Sequence, residues 1–260
     1  MKGRSQSSSI PTKRSSARQA PASATVWTKA AVLRELQSVA DPRVKAKMEY
    51  FGVRVPKAHG ISTPVLHQFA KAIGKSQQLA EELWSTGIHE ARILATLIGE
   101  PRRVTSEQME RWVRDFNSWD LVDAACCYLY AHAKPAWAKV DLWSRRSPEF
   151  EKRAAFSLLA YLSYKDLKAS DERFVRSLRV IEREAGDERN FVRKAVNWAL
   201  RNIGKKNLAL NRAAIESAER IRRQDSRAAR WIAADALREL KSAAVQARLR
   251  KKNDERRSKN

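Results

Sequence analysis

A tryptophan and an aspartate four residues apart are the first candidates for chemistry in this sequence. Trp119 and Asp123 lie in a stretch, from Trp119 to about His132, whose apolar residues recur at helical spacing. At about 100° per residue, Trp119, Asp123 and Tyr130 share a stripe on the flank of the apolar face. A carboxylate beside an indole in this position can face a groove, although a flank tryptophan is also common at the edge of a core.

A second tryptophan lies among basic residues. Trp198 is on the flank of an amphipathic stretch from Glu188 to Ile203, and Lys194, Arg201 and Lys205 fall beside it. Cations bind phosphates, and an indole face can stack on a sugar or a base. This combination is typical of a surface that follows a nucleic-acid backbone.

An arginine occupies a third stretch, Glu149 to Tyr164, which is apolar nearly all round. Arg153, Ser157 and Tyr164 form its one polar stripe. An arginine in such a helix needs a partner, because burying an unpaired charge is costly. A carboxylate of a neighbouring helix, such as Asp123, is one candidate and a phosphate is another. A buried Arg–Asp pair could also be purely structural.

The elements that must position these residues are helices in a loose repeat. Helical stretches begin about 30–40 residues apart, and shorter ones are predicted between them, for example over 105–115, 135–144 and 171–185. The long stretches start near Glu90, Trp119, Phe150, Glu188 and Arg227. Helix pairs of this period predict an all-α, HEAT-like-repeat α-solenoid of stacked antiparallel pairs, with a concave basic groove as its binding surface. An irregular helical bundle is the alternative.

The charge of the chain indicates a polyanionic partner. There are 52 Lys and Arg against 29 Asp and Glu, a formal net charge of +23. Residues 1–25 contribute +5 and residues 241–260 contribute +6, which leaves +12 on residues 26–240. A basic body, and not only basic ends, points most often to nucleic acid. A solubility charge, or association with ribosomes or a membrane surface, would also give a basic chain.

Composition divides the chain into three parts. Residues 1–25 are rich in Ser, Arg, Pro and Ala and predict a disordered basic arm, although a transit peptide has a similar composition. Residues 26–240 form the predicted HEAT-like domain. Residues 241–260 are expected to be a fraying helix that runs into a basic tail.

The sequence argues against metal and membrane functions. Cys126 and Cys127 are adjacent, and zinc or iron–sulfur sites need spaced ligands, so we expect small buried apolar residues there. The four histidines make no metal-ligand spacing. No stretch approaches the ~18 apolar residues of a membrane span, and no secretory signal is evident. We therefore expect no metal, no cofactor and a cytoplasmic protein, associated with the nucleoid if it is bacterial.

Three separate motifs resemble those of the AlkD-like family of HEAT-repeat alkylpurine DNA glycosylases. The stretch SWDLVD, residues 118–123, resembles the family's W-D-x-x-D motif. KRAA, residues 152–155, resembles its R-A-A helix start, and DERNFVRKAVNWALR, residues 187–201, is similar to its V-x-K-A-x-x-W-x-L-R segment. The resemblance spans about residues 30 to 240.

The resemblance implies duplex DNA in the groove of a HEAT-like solenoid. It implies hydrolysis of the N-glycosidic bond of N3- and N7-alkylated purines, without metal or cofactor and without drawing the lesion into a deep pocket. By motif match, Asp123 would be the catalytic carboxylate, Trp119 and Trp198 would contact the deoxyribose, and Arg153 would contact the DNA backbone and help hold the site. The residues expected to bind DNA are Lys194, Arg201, Lys205, Tyr130 and Arg193.

The residue types agree with this chemistry. An N3- or N7-alkylpurine already carries positive charge, so it can leave without a general acid. The transition state resembles an oxocarbenium ion, which one carboxylate can stabilise while it orients a water molecule. Indole faces add cation–π stabilisation of ~0.5–2 kcal/mol each. One aspartate can therefore suffice, with no histidine.

The sequence thus predicts a monomeric, monofunctional alkylpurine DNA glycosylase. A non-catalytic HEAT-repeat protein that binds damaged or structured DNA or RNA is the first alternative, and a scaffold for an acidic protein is the second. Both alternatives need only a basic groove. The set of Trp119, Asp123, Arg153 and Trp198 favours the glycosylase.

Overall fold

Residues 27–258 are described by the structure, a computed structural model, and the arm predicted at residues 1–25 lies outside them. Over this range the chain is helical and contains no β-strand. Its α-helices are α1 (Lys29–Ser38), α2 (Pro42–Tyr50), α3 (Thr63–Ile73), α4 (Gln77–Trp84), α5 (His89–Ile98), α6 (Ser106–Arg114), α7 (Trp119–Ala124), α8 (Ala136–Ser144), α9 (Glu149–Lys165), α10 (Asp171–Glu184), α11 (Asn190–Gly204), α12 (Leu208–Arg222), α13 (Arg227–Leu240) and α14 (Ala243–Arg257).

Helices α4 to α13 form antiparallel pairs that stack in two layers. The inner layer is α5, α7, α9, α11 and α13, each packed on the next, and the outer layer is α4, α6, α8, α10 and α12. The inner helices begin 30 to 41 residues apart, each within two residues of its predicted start. The shorter helices α6, α8 and α10 also fall where the sequence predicted them. The predicted HEAT-like solenoid is confirmed.

Local signals fix where these helices begin and how closely they pack. Thr105 caps α6, because its Oγ1 accepts a hydrogen bond from the backbone N–H of Gln108 at 3.1 Å. Gly204 ends α11 beneath α13, where a Cβ atom would lie 2.7 Å from a methyl carbon of Leu240. A side chain at this position would force Leu240 to move, so the glycine favours close packing of the two inner helices.

Hydrogen bonds from tryptophan indoles to carboxylates join outer-layer helices to neighbouring helices. Each indole N–H donates across to a carboxylate about 30 residues away in the chain. The pairs are Trp84–Asp115 at 2.7 Å, Trp112–Glu81 at 3.2 Å, Trp143–Glu110 at 2.9 Å and Trp137–Asp166 at 2.8 Å. The indoles of Trp84, Trp112 and Trp143 are buried and that of Trp137 is half-buried, so each bond satisfies a donor with little access to water.

The helix predicted from Trp119 to His132 is not continuous. Helix α7 ends at Ala124, a π-helical turn spans residues 125–129, and a 3₁₀ turn spans residues 130–132. The predicted place of Tyr130 on the groove stripe is therefore wrong. A π turn holds about one extra residue, so every later side chain is rotated away from its α-helical direction. Tyr130 is fully buried, between the rings of Phe116 and Trp143.

Ordered packing continues beyond residue 240, where the basic tail was predicted to begin. Helix α14 packs on α12 and α13 and buries Val245 and Leu249.

The neighbouring cysteines match their predicted role in part, since Cys126 is fully buried and Cys127 is half-buried. None of the described helices is long and apolar enough to cross a membrane.

Candidate active site

A cleft of about 360 Å³ opens on the inner layer where α7, α9 and α11 meet. The residues that line it are Phe51, Trp119, Asp123, Arg153, Phe191, Lys194 and Trp198. The structure thus brings together the four residues predicted to form the catalytic site, with the predicted phosphate-binding residue Lys194 beside them.

Asp123 is held at the cleft wall by two side chains of α9. Arg153 Nη2 donates to both carboxylate oxygens, at 2.9 and 2.8 Å, and the hydroxyl of Ser157 donates to Oδ1 at 2.9 Å. A carboxylate has about four acceptor positions. Three are filled by these bonds, so Oδ2 keeps one position for a molecule in the cleft. The Asp123 side chain remains 19% exposed, which gives that molecule access.

Arg153 joins its own helix, α9, to the two neighbouring inner helices by hydrogen bonds. It is 6% exposed, and its Nη1 donates to the backbone carbonyl of Phe191 at 2.8 Å. The same guanidinium therefore joins Asp123 on α7 to the start of α11. These bonds account for the predicted holding role, while contact between Arg153 and a DNA phosphate stays a prediction.

Burial raises the pKa of Asp123 above the ordinary value of 3.8. The charge of Arg153 and the hydrogen bonds from Ser157 and Arg153 act in the opposite direction and lower it. Desolvation disfavours the charged carboxylate, whereas an adjacent cation favours it. The site therefore contains an aspartate whose pKa lies above its usual range.

Aromatic rings line the same cleft as the carboxylate. The indole N–H of Trp119 donates to the carbonyl of Phe51 at 3.0 Å, which anchors the ring to the end of α2. Trp198 meets Tyr161 edge to face, with ring centroids 4.9 Å apart. Phe51 was not predicted from the sequence, because it is 68 residues from Trp119 and lies outside the stretches that pointed to the site. Phe191, near the start of α11, also lines the cleft and was not predicted as a site residue.

The other basic residues predicted to bind DNA have partners within the protein. Arg201 and Lys205 both pair with Glu239 of α13. The guanidinium of Arg193 lies over the ring of Trp231, 4.8 Å from its centroid. Lys194 is exposed at the cleft. Among the predicted cations of α11, Lys194 is thus the one that the cleft includes.

A second pocket, of about 470 Å³, adjoins the cleft and shares Phe51 and Trp119 with it. There His89 Nε2 lies 2.9 Å from Asp120 Oδ2. Burial would raise the pKa of Asp120, but the hydrogen bond from His89 lowers it overall.

Over residues 27–258, no group of three or more histidine, cysteine, aspartate or glutamate side chains is placed to hold a metal ion.

The arrangement suits stabilisation of a cation in an open cleft. A carboxylate with one free acceptor position shares the cleft with two indoles, and an exposed lysine can contact a phosphate nearby. A protein family model described as DNA alkylation repair enzyme matches residues 32–240. The chain belongs to this family.

A solved structure supports the same fold for this family member. It is described as "A new family of proteins related to the HEAT-like repeat DNA glycosylases with affinity for branched DNA structures". The two chains are 22% identical, with a TM-score of 0.68 over 82% of this chain and 95% of the other. No curated protein matches the chain significantly. Helix α14 lies outside the residues that match the family model.

Proposed function

We propose that this member of the DNA alkylation repair family is a monofunctional DNA glycosylase that hydrolyses the N-glycosidic bond of N3- and N7-alkylated purines in duplex DNA. The observation that carries the proposal is the cleft in which Trp119, Asp123, Arg153 and Trp198 meet from three successive inner helices. A surface that only binds DNA would not require a carboxylate that is held by an arginine and a serine in the same cleft as two indoles.

The reaction begins with loss of a cationic base. The C1′–N bond breaks, and its electron pair neutralises the positive charge of the alkylated purine, so no general acid is needed. Positive charge then develops on the deoxyribose, where Asp123 stabilises it electrostatically. The rings of Trp119 and Trp198 add cation–π attraction, worth about 0.5–2 kcal/mol each.

A water molecule completes the reaction. It binds the free acceptor position of Asp123 Oδ2, attacks C1′ and gives its proton to the carboxylate. The products are an abasic site and a free alkylated base. Arg153 and Ser157 do not touch the sugar in this scheme, and they hold the carboxylate in the orientation that the attack requires.

The test is base release from a duplex that carries N7-methylguanine, with wild type beside Asp123→Asn. We expect release by the wild type, a loss of at least a hundredfold in the variant (about 2.7 kcal/mol of transition-state stabilisation), and DNA affinity within a few fold. A variant whose melting transition collapses would show that Asp123 is structural. The matched control is Asp141→Asn, which alters a carboxylate of α8 in the outer layer whose side chain is 60% exposed.

A second candidate function is non-catalytic binding of structured DNA. It is favoured by the description of the similar solved structure, which names affinity for branched DNA, and by the Arg153–Asp123 pair, which could serve stability alone. This function predicts tight, salt-sensitive binding to a branched duplex and no base release by wild type or variant.

A further inference from the structure

A second cluster of positive charge lies at the other end of α9 from the cleft. A cavity of about 540 Å³ is formed there by the 3₁₀ turn at residues 130–132, the start of α8, the end of α9 and the turn before α6. Arg102, His132, Lys134 and Lys165 line it, and Asp166 is its one acidic lining residue. We call these four basic residues the rim cluster.

The rim cluster has cations available for an external anion. Arg102 and Lys134 are exposed, and neither forms an ion pair within the part of the chain that the structure describes. Lys165 Nζ lies 3.3 Å from His132 Nε2. Burial and the charge of Lys165 both lower the pKa of His132, so the imidazole is neutral and accepts from the lysine near neutral pH.

The carboxylate in this cavity is already occupied. Asp166 Oδ2 accepts from the indole of Trp137 at 2.8 Å, and Oδ1 accepts from the backbone N–H groups of Lys168 and Ala169 at 3.1 Å. Both oxygens of Asp166 thus accept hydrogen bonds from within the protein, and the bonds to Oδ1 close the turn after α9. The exposed cations keep their charge for a ligand outside the protein.

The rim cluster is placed to meet the same DNA as the cleft. Arg153 and Lys165 are twelve residues apart on α9, about 18 Å at 1.5 Å per residue. Tyr161 and Tyr164 occupy the last turns of α9 between them. A duplex laid across the inner layer at the cleft would pass its backbone over this end of the helix.

We propose that the rim cluster binds a backbone phosphate of duplex DNA at the opposite end of α9 from the Arg153–Asp123 pair. This inference rests on the proposed function, because it takes the DNA to lie over the cleft. The site uses Arg102 and Lys134 as its direct phosphate contacts, since both are exposed and unpaired among the described residues.

The experiment compares two double variants by the dependence of DNA binding on salt. Arg102→Ala/Lys134→Ala removes the rim contacts, and Arg176→Ala/Arg179→Ala removes two exposed cations of α10 in the outer layer as a matched control. Each neutralised phosphate contributes about −0.9 to the slope of log K against log salt. We expect the rim variant to lose about 0.9 from the slope, which corresponds to one phosphate, and the control to keep the wild-type slope. Melting curves confirm that both variants are folded.

The outcomes separate this inference from the proposed function. A wild-type slope in the folded rim variant would overturn the rim site, whatever the excision assay shows. A reduced slope supports the rim site even where base release fails, and such a failure overturns only the glycosylase. Thermal stabilisation by inorganic phosphate at constant ionic strength, lost in the rim variant while its DNA slope stays unchanged, would assign the site to free phosphate instead.

Discussion

Arg153 donates to both carboxylate oxygens of Asp123 from the adjacent helix of the inner layer, and the two side chains are largely withdrawn from water. A guanidinium in this geometry neutralises the aspartate and also fixes its plane. The pair is therefore both a part of the candidate active site and a part of the packing between two repeats. Each role leads to a different measurable effect of mutation.

Removal of the guanidinium should destabilise the protein. Arg153→Ala leaves a buried carboxylate without its cation and breaks the bond to the carbonyl of Phe191. We expect a loss of about 3 kcal/mol in the free energy of unfolding, at the lower end of the range for a broken buried pair because Asp123 keeps some contact with solvent. Chemical denaturation measures it, with Arg145→Ala, an exposed ion pair, as the control. Equal stability of the two variants would contradict the role of the pair.

The pH dependence of base release should show the raised pKa of Asp123. The reaction needs the anionic carboxylate, so its rate falls as pH drops through that pKa, which lies above 3.8 because the group is buried. Ser157→Ala removes a hydrogen bond that stabilises the anion and should move the acid limb to higher pH. Single-turnover rates measured against pH give the acid limb of the wild type and that of the variant. An acid limb that does not move in the variant would argue against Asp123 as the titrating group.

The two tryptophans should respond differently to loss of the indole N–H. Trp119→Phe loses the bond to the carbonyl of Phe51 as well as ring area. Trp198→Phe keeps an aromatic face against Tyr161. Each alanine variant should lose about 2- to 30-fold in the rate of base release, from the range of cation–π energies, and Trp119→Phe should lose more than Trp198→Phe. The reverse order would mean that the contact with Phe51 does not position the ring.

Binding to DNA should depend on Lys194 more than on its basic neighbours. Lys194 is exposed at the cleft, whereas Arg201 and Lys205 pair with Glu239. Lys194→Ala should reduce the salt slope by about 1, and Lys205→Ala should leave it unchanged. Glu239→Gln releases the two paired cations and should steepen the slope. Equal slopes for the two lysine variants would contradict this assignment.

Stability at low pH should depend on Glu110 in the outer layer. Burial would raise its pKa, but the hydrogen bonds from Lys139, Trp143 and Arg146 lower it to about 2 from 4.5. A depressed pKa gives stability that is present above the unfolded value and is lost as pH falls from about 4.5 to 2. Glu110→Gln should flatten the fall of melting temperature over this window. An unchanged acid profile would rule out this carboxylate as its source.

The helix starts and the shared position of Trp119, Asp123, Arg153 and Trp198 followed from the sequence because both depend on regular helical period. Tyr130 did not follow, because a π turn adds a residue that no apolar pattern reveals. The pairing of Arg201 with Glu239 could not be read either, since it depends on how two repeats face each other. Phe51 reaches the cleft from a distant helix end, which periodicity within one stretch does not describe.

The bond from Arg153 to the carbonyl of Phe191 has a consequence for motion. One guanidinium links α7, α9 and α11, so three consecutive repeats must keep their relative tilt for the carboxylate to stay in place. The solenoid could change its curvature without altering any single helix, but that change would stretch the hydrogen bonds of Arg153. The bend that the protein adopts around a ligand and the electrostatic environment of Asp123 are thus mechanically connected.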